Sequence, residues 1–211
     1  MQGTSPAQPQ SIMIIRHAEK PAGTIQGNNL YGAIDKHSLT PMGWQRAGAL
    51  CVLFAAQGAP VRQGVVTPTA IFASGVEHDS TKSLRPEETV VPVAALLNGV
   101  AESSFLPGPP PSSLVVPLNG GYTLGNERDL VKAVLALTGN VLIAWQHQNI
   151  PAITQQIIQQ AQVSNPDDIP SQWPDGRFDM VFVFTRSSAG YTFAQVPQLL
   201  LPGDSSKPFP A

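Results

Sequence analysis

Apolar residues along this chain come in two kinds of run. Short unbroken ones, in "SIMII" from Ser11 to Ile15, "TAIFAS" from Thr69 to Ser74 and "NVLIAW" from Asn140 to Trp145, have the pattern of strands covered on both faces. The others recur with helical spacing. In "SLTPMGWQRAGALCVLFAAQG", Ala47, Leu50, Cys51, Phe54 and Ala55 fall at i, i+3, i+4, i+7 and i+8, one face of a helix. Thr40 is placed as its N-cap and Pro41 at its first position, with Leu39 and Trp44 as a hydrophobic staple and Gly58 as its end.

Three more helices follow. "RPEETVVPVAALL" reads as one in spite of Pro92, and "NERDLVKAVLALTG" as another, with Asn126 as cap and Gly139 at its end. "NIPAITQQIIQQAQ" has Asn149 as cap and Ile150, Ile153, Ile157 and Ala161 along one face. "DMVFVFTRSSAGYTFAQV" reads as two strands around a turn. Strands alternating with helices predict an α/β fold: a three-layer α/β/α sandwich around a mostly parallel central sheet, with the last hairpin as an antiparallel edge. Residues 1–10 read as a loose arm, 11–200 as a single domain and 201–211 as an irregular tail, while the Pro- and Gly-rich stretch 98–125 is expected to wrap the surface.

Composition narrows the function. The 211 residues are 42% hydrophobic, enough for one sizeable core, but only 12% charged, against the usual ~25%. A net charge of −2 without a basic stripe argues against a nucleic-acid partner. No apolar run approaches the ~18 residues of a membrane span, and "MQGTSPAQPQ" lacks the apolar segment of a secretory signal; a cytoplasmic protein with no membrane partner is expected. The single cysteine, Cys51, rules out an internal disulfide and reads as a buried structural thiol.

Ligands of open α/β sheets bind beyond the carboxyl ends of the strands. The first strand ends at Arg16 and His17, the second leads through "GVEHDSTKS" to Arg85, and the third stops just before His147. Two arginines and two histidines should therefore share one edge of the sheet. Guanidinium forks match phosphate oxygens, and a neutral imidazole is a nucleophile for phosphorus. The helix opening after Asn149 can add its N-terminal amides to that field. Arginines beside His17 favour its neutral form. His37 and His78 match no such position, Lys82 reads as a surface lysine, and Trp44 and Trp145 as packing residues.

Four stretches carry a resemblance to a known family. "RHAEKP" resembles the Arg-His-Gly-Glu signature of the histidine phosphatase superfamily, the phosphoglycerate-mutase-like proteins. "LTPMGWQRAGAL", "SLRPEETVVPVAAL" and "NVLIAWQHQNIPAI" are similar to its later segments, in the family's order. Ala18 stands where the signature has glycine, and Gln148 where one branch has an aspartate after the second histidine. The resemblance implies hydrolysis of phosphomonoesters through phosphohistidine on His17, with Arg16, Arg85 and His147 binding the phosphoryl group, and with no metal and no cofactor. The expected partner is a small phosphorylated substrate. A carboxylic acid must protonate the leaving group; Glu77, Asp79, Glu102 and Glu127 are candidates, and Glu77 is favoured by its place beyond a strand end. The alternatives are a mutase-type phosphotransferase, although the extended motif of phosphoglycerate mutases is missing, and a catalytically silent phosphate-binding or scaffold module.

Overall fold

The first strand, β1 (Ser11–Arg16), is buried along its whole length. Ile12 and Ile14 point into one apolar cluster, Met13 and Ile15 into another, as the two-residue period of a strand demands. In the computed structural model, which describes residues 8–56, 58–76, 82–99 and 115–211, β1 is followed by α1 (Pro41–Phe54), β2 (Ala70–Ser74), α2 (Arg85–Leu97) and β3 (Leu118–Tyr122). Then come α3 (Glu127–Leu135), β4 (Asn140–Trp145), α4 (Ile150–Gln160), β5 (Met180–Ser187) and β6 (Gly190–Pro197).

The strands form one sheet in the order β3-β2-β4-β1-β5-β6. The first four are mutually parallel; β5 runs antiparallel to β1, and β6 antiparallel to β5. Leu50, Leu53 and Phe54 of α1 join Val90, Val93 and Ala94 of α2 over one face. Leu130, Val131 and Val134 of α3 join Ile150, Ile153 and Ile157 of α4 over the other. This is the expected three-layer α/β/α sandwich with an antiparallel edge. No helix of the described residues is long and apolar enough to cross a membrane.

Strand direction decides what reaches the site. The ends of β1, β4 and β2 lie at one edge, with Arg16 paired to Trp145 and Ala73 to Ala144. Because β5 is reversed, its beginning lies there too, with Val181 opposite Ile15. The end of β6 joins it, since Pro197 pairs with Met180. The loop entering β5 and the chain leaving β6 therefore arrive at the same edge as the ends of the parallel strands.

Several local expectations need adjusting. Thr40 does cap α1, its Oγ1 accepting from the Gly43 amide at 3.1 Å. The helix stops at Phe54, however, where a buried Ala55 turns away without help from Gly58. Asn126 and Asn149 do not cap their helices with their side chains. Asn126 instead accepts from Thr123, and Asn149 Nδ2 donates to Glu127 Oε1 at 2.8 Å, joining α4 to α3. Gly139 lies beyond the end of α3 at φ +79°, and a Cβ there would come within 2.4 Å of Thr69 Oγ1. It serves a close approach, not a helix end.

Strand β3, "LNGGY", lies inside the stretch expected to wrap the surface. Asn and Gly give it almost no strand signal of their own; pairing with β2 orders it. Cys51 is half-buried against the α1–α2 cluster, and burial pushes its thiol pKa up, as expected of a packing thiol. Of the expected arm, residues 1–7 lie outside the described residues; Gln10 and Pro9 are fixed through their backbones to Gly139 and Tyr191.

Candidate active site

His17 continues the β1 ladder by one residue, its amide donating to the Trp145 carbonyl at 3.0 Å. The ring is only 2% exposed. Its Nδ1–H donates to the Ala18 carbonyl at 2.7 Å. That bond determines the tautomer, because a carbonyl can only accept: the proton sits on Nδ1 and the lone pair on Nε2. Burial, and then the charges of Arg16, Arg85 and His147, hold the pKa well below the ordinary imidazole value, against the pull of the Ala18 carbonyl. The ring is neutral at neutral pH.

The backbone after His17 is pinned from two sides. The Ala18 amide donates to Thr89 Oγ1 at 2.8 Å, and that hydroxyl donates to the Arg85 carbonyl at 2.7 Å. On the other side, the Thr40 amide donates to the Glu19 carbonyl at 3.0 Å. A Cβ on Gly43 would lie 2.6 Å from that same carbonyl oxygen, so only glycine lets α1 start so close to the turn after His17.

Arg16 is 1% exposed and stacks on Phe178, its Cζ 3.8 Å from the ring centroid. Its Nη1 is committed to the loop before β5, donating to the carbonyls of Pro174 (3.3 Å), Asp175 and Arg177 (3.0 Å). Nε and Nη2 are buried and have no hydrogen-bond partner among the described residues. These two N–H groups form the side of the guanidinium that grips an oxyanion with paired bonds. Burying them unmatched is costly, and an anion would satisfy both. Burial lowers the Arg16 pKa to about 10, leaving it charged at neutral pH.

Arg85 opens α2, where the positive end of the helix dipole makes a cation unfavourable unless an anion lies nearby. Its Nη1 donates to the Lys36 carbonyl at 3.2 Å, and its charge is felt by both His17 and Arg16. His147, 3% exposed, follows β4. Its Nε2–H donates to the Asp175 carboxylate, while Nδ1 is buried without a partner among the described residues. Burial and then Arg16 lower its pKa, against the raising effect of Asp175. The structure thus brings Arg16, His17, Arg85 and His147 to one edge. Among the described residues no three of His, Cys, Asp and Glu are grouped to hold a metal ion.

No family model matches the chain, and no curated protein does. Among solved structures, the chain is similar to a protein provisionally designated phosphohistidine phosphatase SixA, from Nakamurella multipartitia. The two share 18% identity at a TM-score of 0.46, over 91% of this chain and 97% of that one.

Of the candidate acids, Glu77, Asp79 and Glu102 lie outside the described residues. Glu127 is buried, and its Oε1 accepts from the Gly125 amide, Trp145 Nε1 and Asn149 Nδ2. It ties the start of α3 to the end of β4 and the start of α4, on either side of His147 in the sequence. Trp145, fully buried, packs in the core as expected, and Trp44 caps a small cluster with Ala18, Leu39 and Ala47.

Three features at this edge escaped the sequence. Asp175 holds His147. Arg177 holds the loop: its Nε donates to Asp179 at 2.6 Å, its Nη2 to the Lys207 carbonyl at 3.0 Å, and it lies over Phe209. Arg46, 3% exposed, pairs with Glu19 and with Asp204, each at 2.8 Å. The irregular tail therefore buttresses the site twice, once through Asp204 and once through its carbonyls.

Proposed function

We propose that this chain is a phosphatase of the histidine phosphatase type, hydrolysing phosphomonoesters through a phosphohistidine on His17. The observation that carries the reading is the state of His17: a buried, neutral ring with Nδ1–H tied to Ala18 and Nε2 left to attack, beside the unmatched Nε and Nη2 of Arg16. The order of the four sequence stretches supports placing the chain in that superfamily.

In the first step Nε2 of His17 attacks phosphorus in line; the N–P bond forms, the bond to the leaving oxygen breaks, and that oxygen takes up a proton from an acid or, as a nitrophenolate, leaves without one. Arg16 and Arg85 hold the equatorial oxygens as charge moves through the transition state. His147, whose Nε2–H is committed to Asp175, joins them through Nδ1 when the phosphoryl dianion draws a second proton onto its ring. His17 keeps its proton on Nδ1, where the Ala18 carbonyl balances the charge that develops on the ring. In the second step water displaces the histidine and frees phosphate. Dividing one displacement into two is the usual gain of a covalent intermediate. Two guanidiniums meet the phosphoryl charge, so the reading calls for no metal.

Hydrolysis of p-nitrophenyl phosphate with a chelator present tests this. Wild type should turn over and His17→Ala should not. Activity surviving in His17→Ala would remove the nucleophile and the reading with it.

A further inference from the structure

We propose that Asp175 is the base of the second step, taking the proton of the water that hydrolyses the phosphohistidine; this rests on the reading of His17 as nucleophile. Asp175 is tied to the site at two points. Its carbonyl accepts from Arg16 Nη1, and its Oδ1 accepts from His147 Nε2. Oδ2 makes no hydrogen bond among the described residues. The side chain is 89% exposed, whereas His17, Arg16 and His147 are almost wholly buried, so Asp175 joins the buried groups of the site to solvent. Water entering along this carboxylate meets an acceptor already bonded to the site.

The charges facing this carboxylate are His147, Lys20 and Arg16, and all three favour its ionised form. A carboxylate at neutral pH accepts a proton. In the step itself, the water oxygen bonds to phosphorus and the N–P bond breaks. The electron pair returns to Nε2 of His17, and the water proton passes to Oδ2 of Asp175. The products are phosphate, neutral His17 and a protonated Asp175, which then releases its proton to solvent.

The test is built on Asp175→Asn, whose amide oxygen can still accept from His147 Nε2 but cannot take up the proton. With p-nitrophenyl phosphate this variant should release a stoichiometric burst of nitrophenolate and accumulate acid-labile phosphohistidine. Its steady-state turnover should fall about 10²-fold or more, the usual scale of general base catalysis. In Asp175→Ala, added formate should restore turnover by acting as an external base. Turnover of Asp175→Asn within a few-fold of wild type would overturn the proposal. So would a loss without accumulated phosphohistidine, which would mean that Asp175 only orients His147. If wild type itself forms no phosphohistidine on His17, the underlying reading fails and takes this one with it.

Discussion

The parallel half of the sheet, β1, β2 and β4 with the start of α2, delivers Arg16, His17, Arg85 and His147 to the edge. The antiparallel half, β5 and β6, delivers a loop whose carbonyls, ring and carboxylate grip Arg16 and His147 from the other side, and a tail that braces that loop through Arg177. In the proposed reading, one half carries the reacting groups. The other holds them at defined positions and leaves one edge of Arg16 unmatched for an anion. Preorganisation of this kind is what makes buried donors effective in a transition state, and here it depends on segments without regular structure.

Arg16 belongs to both halves, so changing it should have the largest effect after loss of the nucleophile. Arg16→Ala should lower kcat/KM by about 10²–10³, on the scale of oxyanion-donor deletions. Arg16→Lys should recover little of it, because a lysine keeps the charge and loses the fork. Equal activity in Arg16→Lys and wild type would show that charge alone matters.

Asp204→Ala strikes the holding half. It leaves Arg46, buried beside Glu19, with one of its two carboxylates. Breaking a buried pair costs about 3–5 kcal/mol, and urea unfolding should show a loss near the lower end, since Glu19 remains. A midpoint unchanged from wild type would mean that the tail does not support the fold. Gly43→Ala strikes the parallel half more gently. Its new methyl meets the Glu19 carbonyl, and the overpacking should cost about 1–3 kcal/mol. Because that carbonyl lies two residues past His17, kcat should fall along with stability.

The smallest effect is on pH dependence. His17 is neutral when folded, while an unfolded imidazole takes up a proton near 6.5. As pH falls through that value the unfolded chain binds more protons than the folded one, so stability drops. The drop between about pH 7 and about pH 5 should shrink in His17→Asn. For the same reason, protonation of His17 should limit kcat/KM only well below pH 6.5. An acid limb set by His17 at or above the ordinary imidazole value would contradict its burial.

The two halves also differ in how far the sequence reveals them. Unbroken apolar runs mark β1, β2 and β4, and the rule that ligands gather beyond the carboxyl ends of strands then brings Arg16, His17, Arg85 and His147 together. The loop from Trp173 to Asp179 precedes its strand, so the rule passes over it. It reaches the edge only because β5, and not β6, lies antiparallel against β1. The hairpin predicts an antiparallel edge, but which of its strands joins the parallel sheet is not written in an apolar pattern. Asp175 and Arg177 were hidden for that reason. Asp204 was hidden for another: "LPGDSSKPFPA" has no period of its own, and its place comes from Arg46, more than 150 residues away in the sequence. Strand β3 is the same case in small, ordered by its neighbour and not by its own residues.

The most direct test of the central claim is phosphorus NMR of the protein under turnover with a phosphoryl donor. The account predicts a phosphohistidine at Nε2 that is absent from His17→Ala, since Nδ1 is occupied by its bond to Ala18. Phosphorylation at Nδ1, or on another residue, would contradict it.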